Sequence, residues 1–215
     1  QALKEANEQL EVKVAERTGN LLKANKLYRF LSELNKMILR TRDERALYQD
    51  ICDIAIRYGK FRMAWIGLID PATGFVIPVM NSGNEQGYLS IIKPISINPD
   101  LPEGRGPTGQ ALREGTYFVC QDVEHDPMVA PWRQEQLSRG YFSSMAVPIK
   151  KSGVISGAIT VYAPEKNFFN DAEISLMLAA AEDITFALDF LAKEELRVNA
   201  EKQLKESEEK FRTLV

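Results

Sequence analysis

The sequence predicts an α+β fold, an antiparallel sheet layered by helices with a long helix running out of each end. Three observations carry this reading. Two pairs of strand-like runs are joined by tight-turn residues, Asp70-Pro71-Ala72-Thr73-Gly74 and Lys151-Ser152-Gly153, so each pair reads as a hairpin. Residues 1–40 contain no proline and one glycine, Gly19, while residues 172–214 contain neither. Between these flanks, short strand-like and helix-like runs alternate.

In chain order, residues 1–40 carry a seven-residue repeat with Asn7, Val14, Leu21, Tyr28 and Asn35 at one seam position. Leu3, Leu10, Arg17, Ala24, Leu31 and Ile38 hold the other, as a coiled coil requires. An amphipathic helix lying on a core is the plainer alternative. Residues 43–57 read as a helix with Leu47, Ile51, Ile54 and Ala55 inward. Strands follow over 62–70 and 74–81, then a short helix near 84–91 and a strand near 93–97. A glycine loop opens a helix lasting to about Arg113, and a strand covers 116–122. A helix at 131–139 precedes the second hairpin, 143–150 with 154–163. Asn170 or Asp171 can cap the last helix, whose stripe Met177, Ala181, Ile184, Leu188, Leu191 and Val198 is spaced three and four apart. That helix is too long for one globular domain, so it is expected to leave it. The chain thus divides into an N-terminal helix (1–40), a compact core (41–170) and a C-terminal helix (171–215).

The 215 residues, 45% of them hydrophobic, suffice for one buried domain plus extended segments. With 27 basic against 30 acidic residues, net charge −3, there is no footprint for nucleic acid and no expectation of direct membrane contact from this segment. Two cysteines, Cys52 and Cys120, suit a reducing setting, and a cytoplasmic location is expected. The sequence opens at Gln1 and stops at Val215 in mid-pattern, as expected of a piece of a longer protein.

The run GRGPTG, Gly104 to Gly109, matches G-x-G-x-x-G, and Asp122 follows where a dinucleotide fold keeps its ribose-binding acid. Context removes that reading. The preceding NPDLPE carries two prolines where a buried strand should run, and Gly115 ends the helix after two turns, too short for a parallel crossover. What remains is a helix start able to meet an anionic group, or a set of glycines that lets the backbone turn and pack.

The helix start at Gly106, Gly109 and Ala111, the strand ending in Asp122, and the segment Asp126, Pro127, Pro131, Trp132, Arg133 together resemble a GAF domain. So do the SSMAVPI strand and the F…E lead into the final helix. The resemblance covers residues 25–192. The opening ANEQLEVKVAERTGNLLKAN resembles a signalling helix of bacterial sensor proteins, and EKQLKESEEKFRTLV is similar to the lead-in of a PAS domain. The resemblance implies a sensory module of a multidomain histidine kinase or diguanylate cyclase, flanked by neighbouring signalling domains. Its ligand site would lie between the sheet face and the irregular segments, drawing on Asn81, Tyr88, Gly109, Cys120, Asp122, Trp132 and Met145.

Within such a family, haem would need His125, the lone histidine, which sits in a polar turn. A bilin would need a cysteine followed by histidine, which neither cysteine has. Cyclic nucleotide binders show an N-K-F-D-E signature of which only KNFFNDAE is similar here. All three are set aside, and the ligand stays an unidentified small molecule. No G-x-S-x-G elbow accompanies His125, and one histidine with two distant cysteines gives no zinc set. The expectation is therefore a non-catalytic sensory domain. It would act as a parallel homodimer through Leu3, Leu10, Val14, Leu21, Tyr28, Leu31, Ile184, Leu188 and Leu191. A structural dimerisation spacer and a GAF-fold methionine sulfoxide reductase are the alternatives.

Overall fold

The computed structural model describes residues 2–38, 40–41 and 43–214; the side chains of residues 2, 3, 5, 6, 8, 12, 16, 20, 23, 26, 27, 208 and 211–214 are not described. Six strands form one sheet in the order β3-β2-β1-β6-β5-β4. They are β1 (Met63–Ile69), β2 (Phe75–Gly83), β3 (Ile95–Ser96), β4 (Phe118–Cys120), β5 (Ser143–Lys151) and β6 (Val154–Ala163). Every neighbouring pair is antiparallel, so the expected class holds.

Both hairpins close for the reasons their turn residues supply. Asp70 accepts from the Ala72 N–H at 3.0 Å and the Thr73 hydroxyl at 2.6 Å, and Gly74 takes φ 70°. In the second turn Ser152 and Gly153 both adopt positive φ, the twist that suits a two-residue hairpin.

Alternation along the strands gives the sheet two buried faces. Ala64, Ile66, Met145, Val147, Ile149, Ile159, Val161 and Ala163 point to one face, where they pack with α1 (Ala2–Ile38), α2 (Glu44–Gly59) and α6 (Asp171–Leu214). Met63, Trp65, Ala158 and Tyr162 point to the other, beneath α3 (Tyr88–Ile91), α4 (Pro107–Glu114) and α5 (Arg133–Ser138). Helix α2 begins where Asp43 accepts from the Ala46 N–H at 2.8 Å, and it buries Leu47, Ile51 and Ala55 as its spacing predicts. Pro107 opens α4 and Gly115, at φ 68°, ends it.

The long helices correct the expected seam. Ile184 and Leu188 have 0% exposure inside the domain's own core and are covered without a partner, while Leu191 and Leu31 are half-buried against it. The stripe spaced three and four apart is covered by the chain's own core as far as Leu191, whereas its last member, Val198, is exposed. In α1 the last turns behave likewise, with Phe30 and Leu34 buried, whereas Leu10, Val14, Leu21 and Tyr28 are exposed. The Leu3 side chain lies outside the described residues. Among the described residues of α6 the exposed large apolar side chains are Phe186, Phe190, Leu196, Val198 and Leu204.

Candidate functional site

The sheet face under α3, α4 and α5 holds a small, partly open cavity with mixed polar and apolar walls. It measures about 10 Å³, room for roughly one water molecule, and its lining includes Tyr88, Thr108, Trp132, Gln136, Thr160 and Tyr162. Each of these is brought by a different device. Thr160 and Tyr162 are alternate residues of β6, so they share the face. Thr108 comes from the first turn of α4, and its hydroxyl lies 3.1 Å from that of Thr160. Tyr88 starts α3, and Gln136 sits on the buried side of α5.

Glycines set the depth of this layer. A Cβ on Gly109 would fall 2.5 Å from the Gly104 carbonyl and 2.6 Å from that of Ser96, so only glycine lets α4 sit against β3. A Cβ on Gly106 would stand 2.4 Å from the Trp132 ring. The GRGPTG run therefore serves close packing. The Trp132 ring occupies the space that Gly106 leaves, and its indole N–H donates to the Lys93 carbonyl at 2.9 Å, tying it to the connection that leads into β3.

Three tyrosines cluster here, of which Tyr88 and Tyr162 line the cavity and Tyr141 packs behind them. Tyr141 and Tyr162 stack at 4.7 Å, and Tyr88 meets both edge-on. The hydroxyls of Tyr88 and Tyr162 face one another at 3.4 Å, and the Gln136 amide nitrogen donates to Tyr88 at 3.0 Å. The Gln136 carbonyl and the Trp65 indole N–H, both buried, have no hydrogen-bond partner among the described residues. Trp65 lies beside the Tyr162 hydroxyl, close enough to favour its ionisation slightly, without the alignment of a hydrogen bond. Burial dominates and raises the ionisation of Tyr88 and Tyr162 above the ordinary phenol range.

Of the ligand contacts expected from sequence, Tyr88 and Trp132 line this cavity and Gly109 shapes it from behind. Met145 does not reach it. It belongs to the opposite core, because β5 turns Ser144 rather than Met145 toward the cavity. Asn81 is exposed on β2, and its carbonyl accepts from Gln49. Cys120 is buried under the same helices but is not among the lining residues. Gln136, Thr108, Thr160 and Tyr162 escaped the sequence reading. Only the i, i+2 pair on β6 carried a signal that could have found its members.

Asp122 lies outside as well, in a surface ion cluster. His125 Nδ1 is 2.9 Å from its carboxylate, and Lys166 reaches it at 3.1 Å and Glu124 at 2.6 Å. The contacts from His125 first, then Lys166, pull the Asp122 carboxyl down to about 2. Asp122, Glu124 and His125 could converge on a cation, but the Lys166 ammonium already bonds both carboxylates.

The two thiols lie in different core layers, Cys52 among the helices and Cys120 on the cavity side. Burial pushes each up to about 12.

This sheet, with its pocket on one face and its terminal helices on the other, matches a known family. A model of the GAF domain covers residues 41–189, and the chain belongs to that family. No curated protein matches the chain. Solved structures with the same fold include free methionine-R-sulfoxide reductase from Neisseria meningitidis, with TM-score 0.63 and 16% identity, covering 79% of this chain and 93% of that one. The GAF domain of a phosphoenolpyruvate-protein phosphotransferase from Coxiella burnetii aligns with TM-score 0.62 and 14% identity, over 84% and 98%. A protein from Burkholderia vietnamiensis described as a GAF sensor gives 0.64 and 17%, over 80% and 98%. These likenesses establish the fold. They also correct the expectation of a domain without catalysis, since reductases share this fold and the fold alone therefore does not separate sensors from enzymes.

Proposed function

We propose that the chain is a sensory and relay GAF domain of a longer signalling protein, working as a parallel homodimer. The observation that carries this reading is the division of labour across the sheet. One face holds a small cavity lined by both polar and apolar side chains, while the other anchors α1 and α6, whose 37 and 44 residues extend about 55 and 66 Å at 1.5 Å per residue. Beyond their anchored turns both helices carry exposed apolar side chains, Leu10, Val14, Leu21 and Tyr28 on α1 and Leu196, Val198 and Leu204 on α6. Unpaired apolar positions on rods this long favour pairing with a twin. Ligand occupancy would bias the angle or register of the paired rods, by no more than the ligand's difference in affinity for the two arrangements. A following PAS-like domain and a reducing, cytoplasmic setting fit this role.

Disulfide trapping tests it. A Val14→Cys chain should cross-link to its own copy under mild oxidation, and light scattering should give a dimer at micromolar concentration. A monomer with no cross-link removes the proposal. A second reading, a dimerising spacer without ligand, draws on the small volume of the cavity. It predicts a dimer whose melting temperature no metabolite shifts.

A further inference from the structure

A groove runs between α1 and α2, on the side of the sheet away from the cavity, and its charges are unevenly spread. Its middle is lined by Glu33, Asp50 and Asp53 as well as Lys36, Arg40 and Arg57, and Lys36 pairs with Glu33 at 2.8 Å. That stretch is balanced. Where α2 ends, the groove encloses about 300 Å³ between Leu22, Asn25 and Arg29 of α1 and Arg57, Tyr58 and Lys60. Three cations line this end and no acid does, in a chain whose net charge is −3. Among the described residues none of the three forms an ion pair. The terminal carbonyls of α2 favour nearby cations and so account for Arg57, in its last turn, and Lys60, its cap residue. They do not account for Arg29, which comes from another helix. Leu22, Asn25 and Arg29 are spaced three and four apart and share one face of α1. Leu22 and Arg29 each stand one residue beyond the exposed Leu21 and Tyr28, about 100° further round the helix, so a twin paired along Leu21 and Tyr28 would not fill the groove.

We propose that this end of the groove binds a compact polyanion, a diphosphate or triphosphate group. Its oxygens accept charge-assisted hydrogen bonds from the Arg29 and Arg57 guanidinium groups and the Lys60 ammonium, and the arginine forks suit phosphate oxygens in pairs. Valence sets the class, because a single carboxylate would offset one charge of three. Arg29 belongs to the rod and the other two cations to the domain, so the bound anion fastens one to the other. That use of the site rests on the relay reading above; the binding itself does not.

Calorimetry on the whole chain in metal-free buffer uses inorganic pyrophosphate, compared with sulfate and acetate at matched ionic strength. Pyrophosphate should bind saturably, one per chain, and the other two should not. Arg29→Gln, Arg57→Gln and Lys60→Gln should each weaken it about fivefold, the scale of one exposed charge pair, and the Arg29→Gln, Arg57→Gln double variant should lose detectable binding. All three side chains are exposed, so the variants should fold. Arg45→Gln, an exposed arginine of α2 outside the groove, should change nothing. Adenosine diphosphate separates a group carried by a nucleoside from a free one: the tighter binder of the two identifies the source, and either supports the site. Pyrophosphate should also slow amide hydrogen exchange over residues 22–29 of α1.

The site is overturned if pyrophosphate does not saturate, if sulfate matches it at equal ionic strength, or if binding ignores the three substitutions or falls as much in Arg45→Gln. Saturable binding that leaves exchange over 22–29 unchanged overturns the fastening of the rod alone. Failure of the relay dimer appears separately, in the Val14→Cys cross-link.

Discussion

At the scale of single residues, close contacts and burial give the sharpest expectations. Gly106→Ala would drive a methyl group into the Trp132 ring. The expected loss is about 1–3 kcal/mol of stability, as for other overpacked cores. Tryptophan emission should shift to the red as the ring is displaced, and urea titration followed by fluorescence checks both. Neither thiol should react with a disulfide reagent at pH 8 in the folded protein, because burial holds both protonated and out of reach; both should react once urea unfolds the chain. Tyr88 and Trp132 were anticipated because the family resemblance set the ligand site between the sheet face and the irregular segments that carry them. Met145 was misassigned because β5 is apolar or small at consecutive positions, SSMAVPI, so composition does not fix which alternate set faces which layer. Gln136 gave no warning at all. A lone glutamine in a polar helix looks solvated until the tertiary fold turns it inward.

Single elements show where the pattern was right and its partner wrong. A stripe spaced three and four apart says that a helix has an apolar side, not whose surface covers it. For α6 the cover is the sheet as far as Leu191, and for α1 it is the same core from Phe30 onward. This predicts opposite outcomes along α1. Leu34→Ala should cost about 2–5 kcal/mol in urea unfolding, as expected for a fully buried leucine. Leu21→Ala, exposed in the single chain, should leave that stability within about 0.5 kcal/mol and act on the dimer dissociation constant instead. The hairpins, by contrast, were fully legible, because Asp70, Gly74, Ser152 and Gly153 act locally and need no partner from elsewhere. The GRGPTG helix was bounded correctly by the same kind of local chemistry, Pro107 at its start and Gly115 at its end.

For the molecule as a whole, the many buried ionisable groups predict alkaline weakness. Cys52 and Cys120 titrate near 9 when free and are pushed up to about 12 by burial, and burial does the same to Tyr48, ordinarily near 10. Above pH 9 the unfolded chain releases protons that the folded one retains, so stability falls as pH rises from 9 toward 12. Cys52 alone contributes a loss on the order of 1 kcal/mol by pH 10. Urea midpoints at pH 8, 9 and 10 should decline accordingly, and the Cys52→Ala chain should decline less.

The tip of the β5–β6 hairpin adds one more consequence. There the Lys150 N–H reaches the Thr185 hydroxyl at 3.2 Å, the Ser152 N–H reaches the Asp189 carboxylate at 2.6 Å, and Lys151 pairs with Glu44 of α2. These contacts hold the turn of α6 from Thr185 to Asp189 against the hairpin tip, so a displacement of that tip would reach the helix just before its exposed stretch begins.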